Sequence, residues 1–190
     1  MRVKGADEEA AGWVYYEIEN LVEATKILEQ LPEQKKSSPA EKVQRNIATE
    51  AFLIHFRNLS AFFYSMGNMY PDDVVADQFL PSWGRPKPPP TVASEMPRIH
   101  KRVAHLSYQR RSLPKKWQYL VLADPIRSDY EKFRKRFAAD EPQHAGWFEQ
   151  APPLPVVEQP ALSVTSTTRS YASISVISMG PHGATVTEQE

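Results

Sequence analysis

Residues 40–66 read AEKVQRNIATEAFLIHFRNLSAFFYSM, and this stretch decides the fold. At about 100° per residue, Val43, Ile47, Ile54 and Ala61 gather on one side, and Ala48, Phe52, Phe56, Leu59 and Phe63 on another. An apolar arc this wide belongs to a central helix with neighbours on two sides. Upstream, Ser38-Pro39-Ala40-Glu41 holds the parts of a capping box, with proline at the first helical position. Downstream, Gly67 and Pro71 stop the pattern, so the spacing predicts a helix over 39–66.

Working outward, Val14, Ile18, Leu21, Ala24 and Leu28 recur at three- and four-residue steps and predict an amphipathic helix over 7–31, closed by Pro32. Beyond the central helix, Asp72 is the expected cap of a short turn through Phe79, and PSWGRPKPPP at 81–90 reads as a stiff extended connector. Ser94 or Thr91 caps a third helix reaching to about 112, with Pro97 in its first turn. A fourth helix covers 115–123, and Asp124-Pro125 either kinks it or restarts it as a fifth, carrying the stripe Ile126, Tyr130, Phe133 and Phe137. Short connections between such elements favour an all-α fold, an up-and-down bundle of four to five helices over 1–150. Residues 151–190 are rich in Pro, Ser and Thr, lack a helical period and read as a disordered C-terminal tail. Within it SYASISVISM at 170–179 alternates like a strand, but one strand alone is not stable.

Composition excludes several functions. The 190 residues carry 23 basic and 23 acidic side chains, so net charge alone selects no polyanionic partner. There is no cysteine, which removes disulfides, thiolate metal sites and cysteine nucleophiles. The first residues, MRVKGADEEAAGWVYYEIEN, lack the apolar core of a signal peptide, and no run approaches ~20 apolar residues. The expectation is a cytoplasmic protein with no membrane partner. Histidines 55, 100, 105, 144 and 182 form no ligand pattern, so no metal is expected. Seven glycines build no phosphate loop, and no GxSxG elbow occurs, so no cofactor is expected and serine-hydrolase, kinase and dinucleotide chemistry is disfavoured.

What chemistry remains is concentrated in RIHKRVAHLSYQRR, residues 98–111. With Arg98 at 0° on a helical wheel, Arg102 falls near 40°, His105 near −20° and Gln109 near 20°, while Ile99, Val103 and Leu106 lie at about 80–140°. One stripe packs and the next presents two guanidiniums, an imidazole and an amide. From 96 to 123 there are seven Lys or Arg and no Asp or Glu. That local field attracts polyanions, and phosphate is the obvious one. Histidine titrates near neutrality and can move a proton, whereas a guanidinium stabilises charge growing on phosphate oxygens. Arg98 and His105 are therefore the catalytic candidates, and the matching reaction is attack of an RNA 2′-hydroxyl on its own neighbouring phosphate.

At these residues the chain resembles the HEPN superfamily, helical bundles many of whose members are metal-independent endoribonucleases. Arg98, Ile99, five further residues and His105 match the family's arginine-to-histidine spacing, although Ile99 stands where that family commonly has Asn, Asp or His. The likeness covers roughly residues 8–140 in architecture and eight residues in motif. EAFLIHFRNLSAFFY (50–64) followed by RIHKRVAHLSYQR (98–110) is also similar to a group of uncharacterised bacterial helical proteins. The resemblance implies RNA as the partner and self-association as a homodimer, since the family's active site commonly forms across a dimer.

Arg102, Gln109, Glu50 and Arg57 are the candidate substrate-binding residues. Glu50 and Arg57 are seven apart on the central helix and fall within about 20° of each other, a placement from which Glu50 can orient Arg98 or Arg102. His55, on an otherwise apolar flank, reads as a hydrogen-bonded core histidine. Three readings of the basic face stay open on sequence alone: a solvated surface paired with acids of the first helix, an RNA-binding face, and a ribonuclease site. The alternative to RNA cleavage is a non-catalytic helical module that binds a protein or nucleotide.

Overall fold

The computed structural model describes residues 6–32, 36–65, 70, 72–103 and 117–155. It is an all-α, up-and-down bundle of five helices, α1 (Ala6–Gln30), α2 (Pro39–Phe63), α3 (Ala76–Phe79), α4 (Pro90–Val103) and α5 (Tyr119–Asp140), with no strand among the described residues. Contacts group Met1–Val157 in one compact unit. Most of the expected tail lies outside the described residues. Its first residues do not: Ala151 is buried with its N–H on Glu131 Oε1 at 3.0 Å, and Arg127 Nε donates to Pro152 O at 3.0 Å. The packed chain therefore runs past the expected limit at 150, because α5 offers polar side chains that hold the returning backbone.

Local chemistry explains the two long helices. Asp7, Glu8 and Glu9 sit in the first turn of α1, where carboxylates oppose the helix dipole. At the start of α2 the expected capping box is formed: the Ser38 N–H donates to Glu41 Oε2 at 2.6 Å, and the Glu41 N–H donates to Ser38 Oγ at 3.3 Å. These bonds hold the Glu41 carboxyl below its ordinary range. The two helices run antiparallel. Near one end Glu17 meets His55 and Asn58, and near the other Arg45 Nη2 donates to the carbonyls of Leu31 and Pro32 at 2.8 and 2.6 Å.

The core sits where α2 and α5 face each other. Ile126, Tyr130, Phe133 and Phe137 are buried as the spacing predicts. Phe133 is the hub, edge-on to Phe62 at 5.4 Å and to Phe148 at 5.0 Å. The other apolar side of α2 differs from expectation. Among the described residues Val43, Ile47, Ile54 and Ala61 do not meet a second neighbour; all four are exposed, because α1 packs on the flank of α2 between the two apolar sides.

Other boundaries also shift. Asp72 does not cap α3; Val75 is the cap, its N–H bonded to Gln78 Oε1 at 3.5 Å. The connector holds a 3-10 turn at Pro81–Trp83, after which Gly84 and Arg85 take positive φ values of 64° and 43°. Arg85 tolerates this conformation while its Nη2 donates to Tyr64 O at 2.9 Å, at the end of α2. Helix α4 begins at Pro90, earlier than expected, since a proline's fixed φ suits a first helical position. Ser94 is not its cap but donates to Thr91 O at 3.2 Å. Pro97 is then interior to α4, and Pro125 is interior to α5, which is one helix from Tyr119 with no restart. Burial of Leu122, Ala123 and Ile126 on either side of Pro125 holds that helix through the missing bond. The part of the third helix expected beyond 103, and residues 115 and 116, lie outside the described residues.

Candidate functional site

Helix α4 is positioned by Val92, Met96 and Ile99, all buried. Ile99 is fully enclosed, so the position after Arg98 belongs to the packing stripe. The neighbouring stripe carries Arg98 and Arg102, one turn apart.

Arg98 is fixed on two sides. Its Nη1 donates to Glu95 Oε2 at 2.9 Å, and its guanidinium carbon lies 3.5 Å from the centroid of the Trp117 ring. Glu95 stands one residue before the acid-free run, and it belongs to α4 itself, not to the first helix. Arg98, Glu95, Trp117 and Gln118 line a cavity of about 310 Å³ between α4 and the start of α5.

Arg102 has a different setting. It is half-buried, and its Nε is enclosed without a hydrogen-bond partner among the described residues. Among the described residues the enclosed Nε of Arg45, on α2, is in the same condition. Both charges act on Tyr119, whose hydroxyl is 2.9 Å from Thr49 Oγ1. Burial pushes the Tyr119 phenol up from its ordinary value; the Thr49 bond and the two cations oppose that shift, and Glu29 adds to it. Successive turns of α4 thus present two stations, Arg98 against Trp117 and Arg102 beside Tyr119.

His105 and Gln109 lie outside the described residues. Glu50 and Arg57 are exposed on the outer side of α2, while the carboxylate bonded to Arg98 is that of Glu95. His55 is a hydrogen-bonded histidine, as expected: its Nδ1 is 2.7 Å from Glu17 Oε2 and its ring is edge-on to Tyr16. Sequence reasoning missed Trp117, Tyr119, Thr49, Arg45 and Glu95. A signal for the first two exists in KKWQY at 115–119, aromatic residues directly after paired lysines.

Comparison of the chain with family models, with curated proteins and with solved structures gives no match.

Proposed function

We propose that the α4 face binds the phosphate backbone of RNA and cleaves it without a metal, in the manner of the HEPN nucleases, with the protein acting in the cytoplasm as a homodimer. The observation that carries this reading is the half-buried Arg102, its enclosed Nε lacking an acceptor among the described residues, beside the Tyr119 and Arg45 pair. A cation held in that state is stabilised by an anionic guest. Trp117, itself buried, lies beneath Arg98 and holds its guanidinium in place.

In this reading His105 takes the proton of the 2′-hydroxyl, and the 2′-oxygen forms a bond to the adjacent phosphorus. The bond from phosphorus to the 5′-oxygen breaks, and His105 returns the proton to that leaving oxygen. The products are a 2′,3′-cyclic phosphate and a 5′-hydroxyl. Arg98 holds the scissile phosphate, Arg102 assists binding, and water is not consumed. The test is an RNA-cleavage assay in chelator on wild type, Arg98→Ala and His105→Ala. Wild type is expected to cut, and each variant to lose cutting by about a hundredfold or more. Wild-type protein without activity, or activity unchanged in both variants, sinks the nuclease reading. Retained RNA binding without cleavage leaves the non-catalytic nucleotide-binding module in its place.

A further inference from the structure

We infer that the outer face of the α1–α2 hairpin is a self-association surface, on which a second copy of this chain docks about a two-fold axis. The homodimer of the nuclease reading comes from the resemblance at the basic motif. The hairpin face rests on other residues and stands or falls without that reading.

Six of the eight large hydrophobic side chains exposed among the described residues lie on this hairpin: Trp13, Tyr16, Ile27, Val43, Ile47 and Ile54. Ile47 is 64% exposed and Val43 58%, values that make them surface residues in a single chain. Large apolar side chains gathered on one exposed face, with polar neighbours such as Asn20, Glu23 and Gln44 among them, mark an interaction site.

The strip is shaped to fit itself. Because α1 and α2 are antiparallel, Trp13 and Tyr16 project at the end where Tyr16 meets His55. Toward the other end, a groove of about 520 Å³ opens between the helices, lined by Ala24, Ile27, Val43, Ile47 and their neighbours. A two-fold axis across the middle carries each protruding aromatic pair to the recess of the other copy. The contact is isologous and closes at two chains.

Charge selects the same arrangement. Glu50 and Arg57 are exposed along one edge of the strip, seven residues apart. Antiparallel packing of α2 on its copy brings that edge against itself, so Glu50 of each chain faces Arg57 of the other. Parallel packing would set like charges side by side. The area is also sufficient. The 25 residues of α2 span about 37 Å, and two adjacent helices are about 20 Å wide, giving roughly 750 Å² per copy, close to the ~800 Å² per partner of a stable interface.

The test is sedimentation of the full chain without RNA. Wild type is expected to run at twice the 21.6 kDa chain mass, and Ile47→Glu at the single-chain mass with unchanged helical circular dichroism. Glu50→Arg and Arg57→Glu each alone are expected to weaken the dimer by about tenfold or more, and their equimolar mixture to recover it, because only the mixed pair matches opposite charges at both crossings. Three outcomes overturn the inference: wild type that stays monomeric at its highest soluble concentration, a dimer indifferent to Ile47→Glu, or charge variants whose mixture is no tighter than either alone. Both charge changes are on the surface, so the mixing experiment decides the matter even where Ile47→Glu fails to fold.

Discussion

The guanidinium of Arg98 is stacked on Trp117, with 3.5 Å from its carbon to the ring centroid, and tied in the same position to Glu95 at 2.9 Å. The stack orients the cation while the carboxylate neutralises it. Glu95→Gln keeps the shape and removes the negative charge, so RNA should bind about fivefold more tightly at low salt, equivalent to about 1 kcal/mol, with stability lowered by no more than about 1 kcal/mol. Fluorescence anisotropy with a single-stranded oligonucleotide checks this. Binding that weakens in Glu95→Gln means the pair holds the helix and does not tune a binding cation.

Arg102 is half-buried, and its enclosed Nε lacks an acceptor among the described residues. Arg102→Met removes a desolvated charge and keeps the packing of the stem, so the melting temperature is expected to hold or rise. RNA affinity should fall, and the slope of log affinity against log salt should become shallower by about one. A large loss of stability together with an unchanged salt slope would assign Arg102 to the core.

Arg85 combines a left-handed backbone with a side chain that caps the end of α2. Arg85→Ala loses the cap and keeps the strain, whereas Arg85→Gly loses the cap and relieves it. Thermal denaturation is expected to place both below wild type, with glycine above alanine by about 1 kcal/mol.

Tyr64 and Tyr130 predict the behaviour at alkaline pH. Burial raises both phenols well above their ordinary value; the Asp129 carboxylate adds to the shift at Tyr64, and the nearby Glu131 charge adds to it at Tyr130. The folded state therefore holds these protons more tightly than the unfolded chain. Their contribution is complete below about pH 10, the unfolded value, and is lost as pH rises beyond it toward the folded values. Melting temperature should be level from neutrality to about pH 10 and then fall, and the fall should be smaller in Tyr130→Phe.

Much of the fold is legible in the sequence because its signals are local. Ser38 and Glu41 mark a helix start through bonds that span three residues, and Ile126, Tyr130, Phe133 and Phe137 mark a buried face by period alone. The starts of α3 and α4 are not legible, because Asp72, Thr91 and Ser94 are good caps in isolation and tertiary placement of Val75 and Pro90 prevails. The candidate site is half legible. Arg98 and Arg102 follow from the wheel, but their neighbours Trp117, Tyr119 and Thr49 come from other parts of the chain, and no spacing along one helix can announce a contact between Thr49 and Tyr119. Ile99 departs from the HEPN pattern, and its full burial gives the departure a packing cause. The exposed side of α2 reads as core for a similar reason: periodicity reports that a face is apolar and is silent on which molecule covers it.

Pro97 divides α4 into an opening half, Pro90 to Met96, and a closing half that holds Arg98, Lys101 and Arg102. Lacking an N–H, Pro97 leaves the Ala93 carbonyl without its helical donor. The ladder is thus one rung short where the opening half meets the cationic half. A change of angle between the two halves meets less resistance there than anywhere else along the helix, and Arg98, the first residue past the missing rung, would move with the smallest arc and Arg102 with a larger one. On the proposed reading the two arginines would meet guests of different girth through a tilt that also shifts the enclosed Ile99.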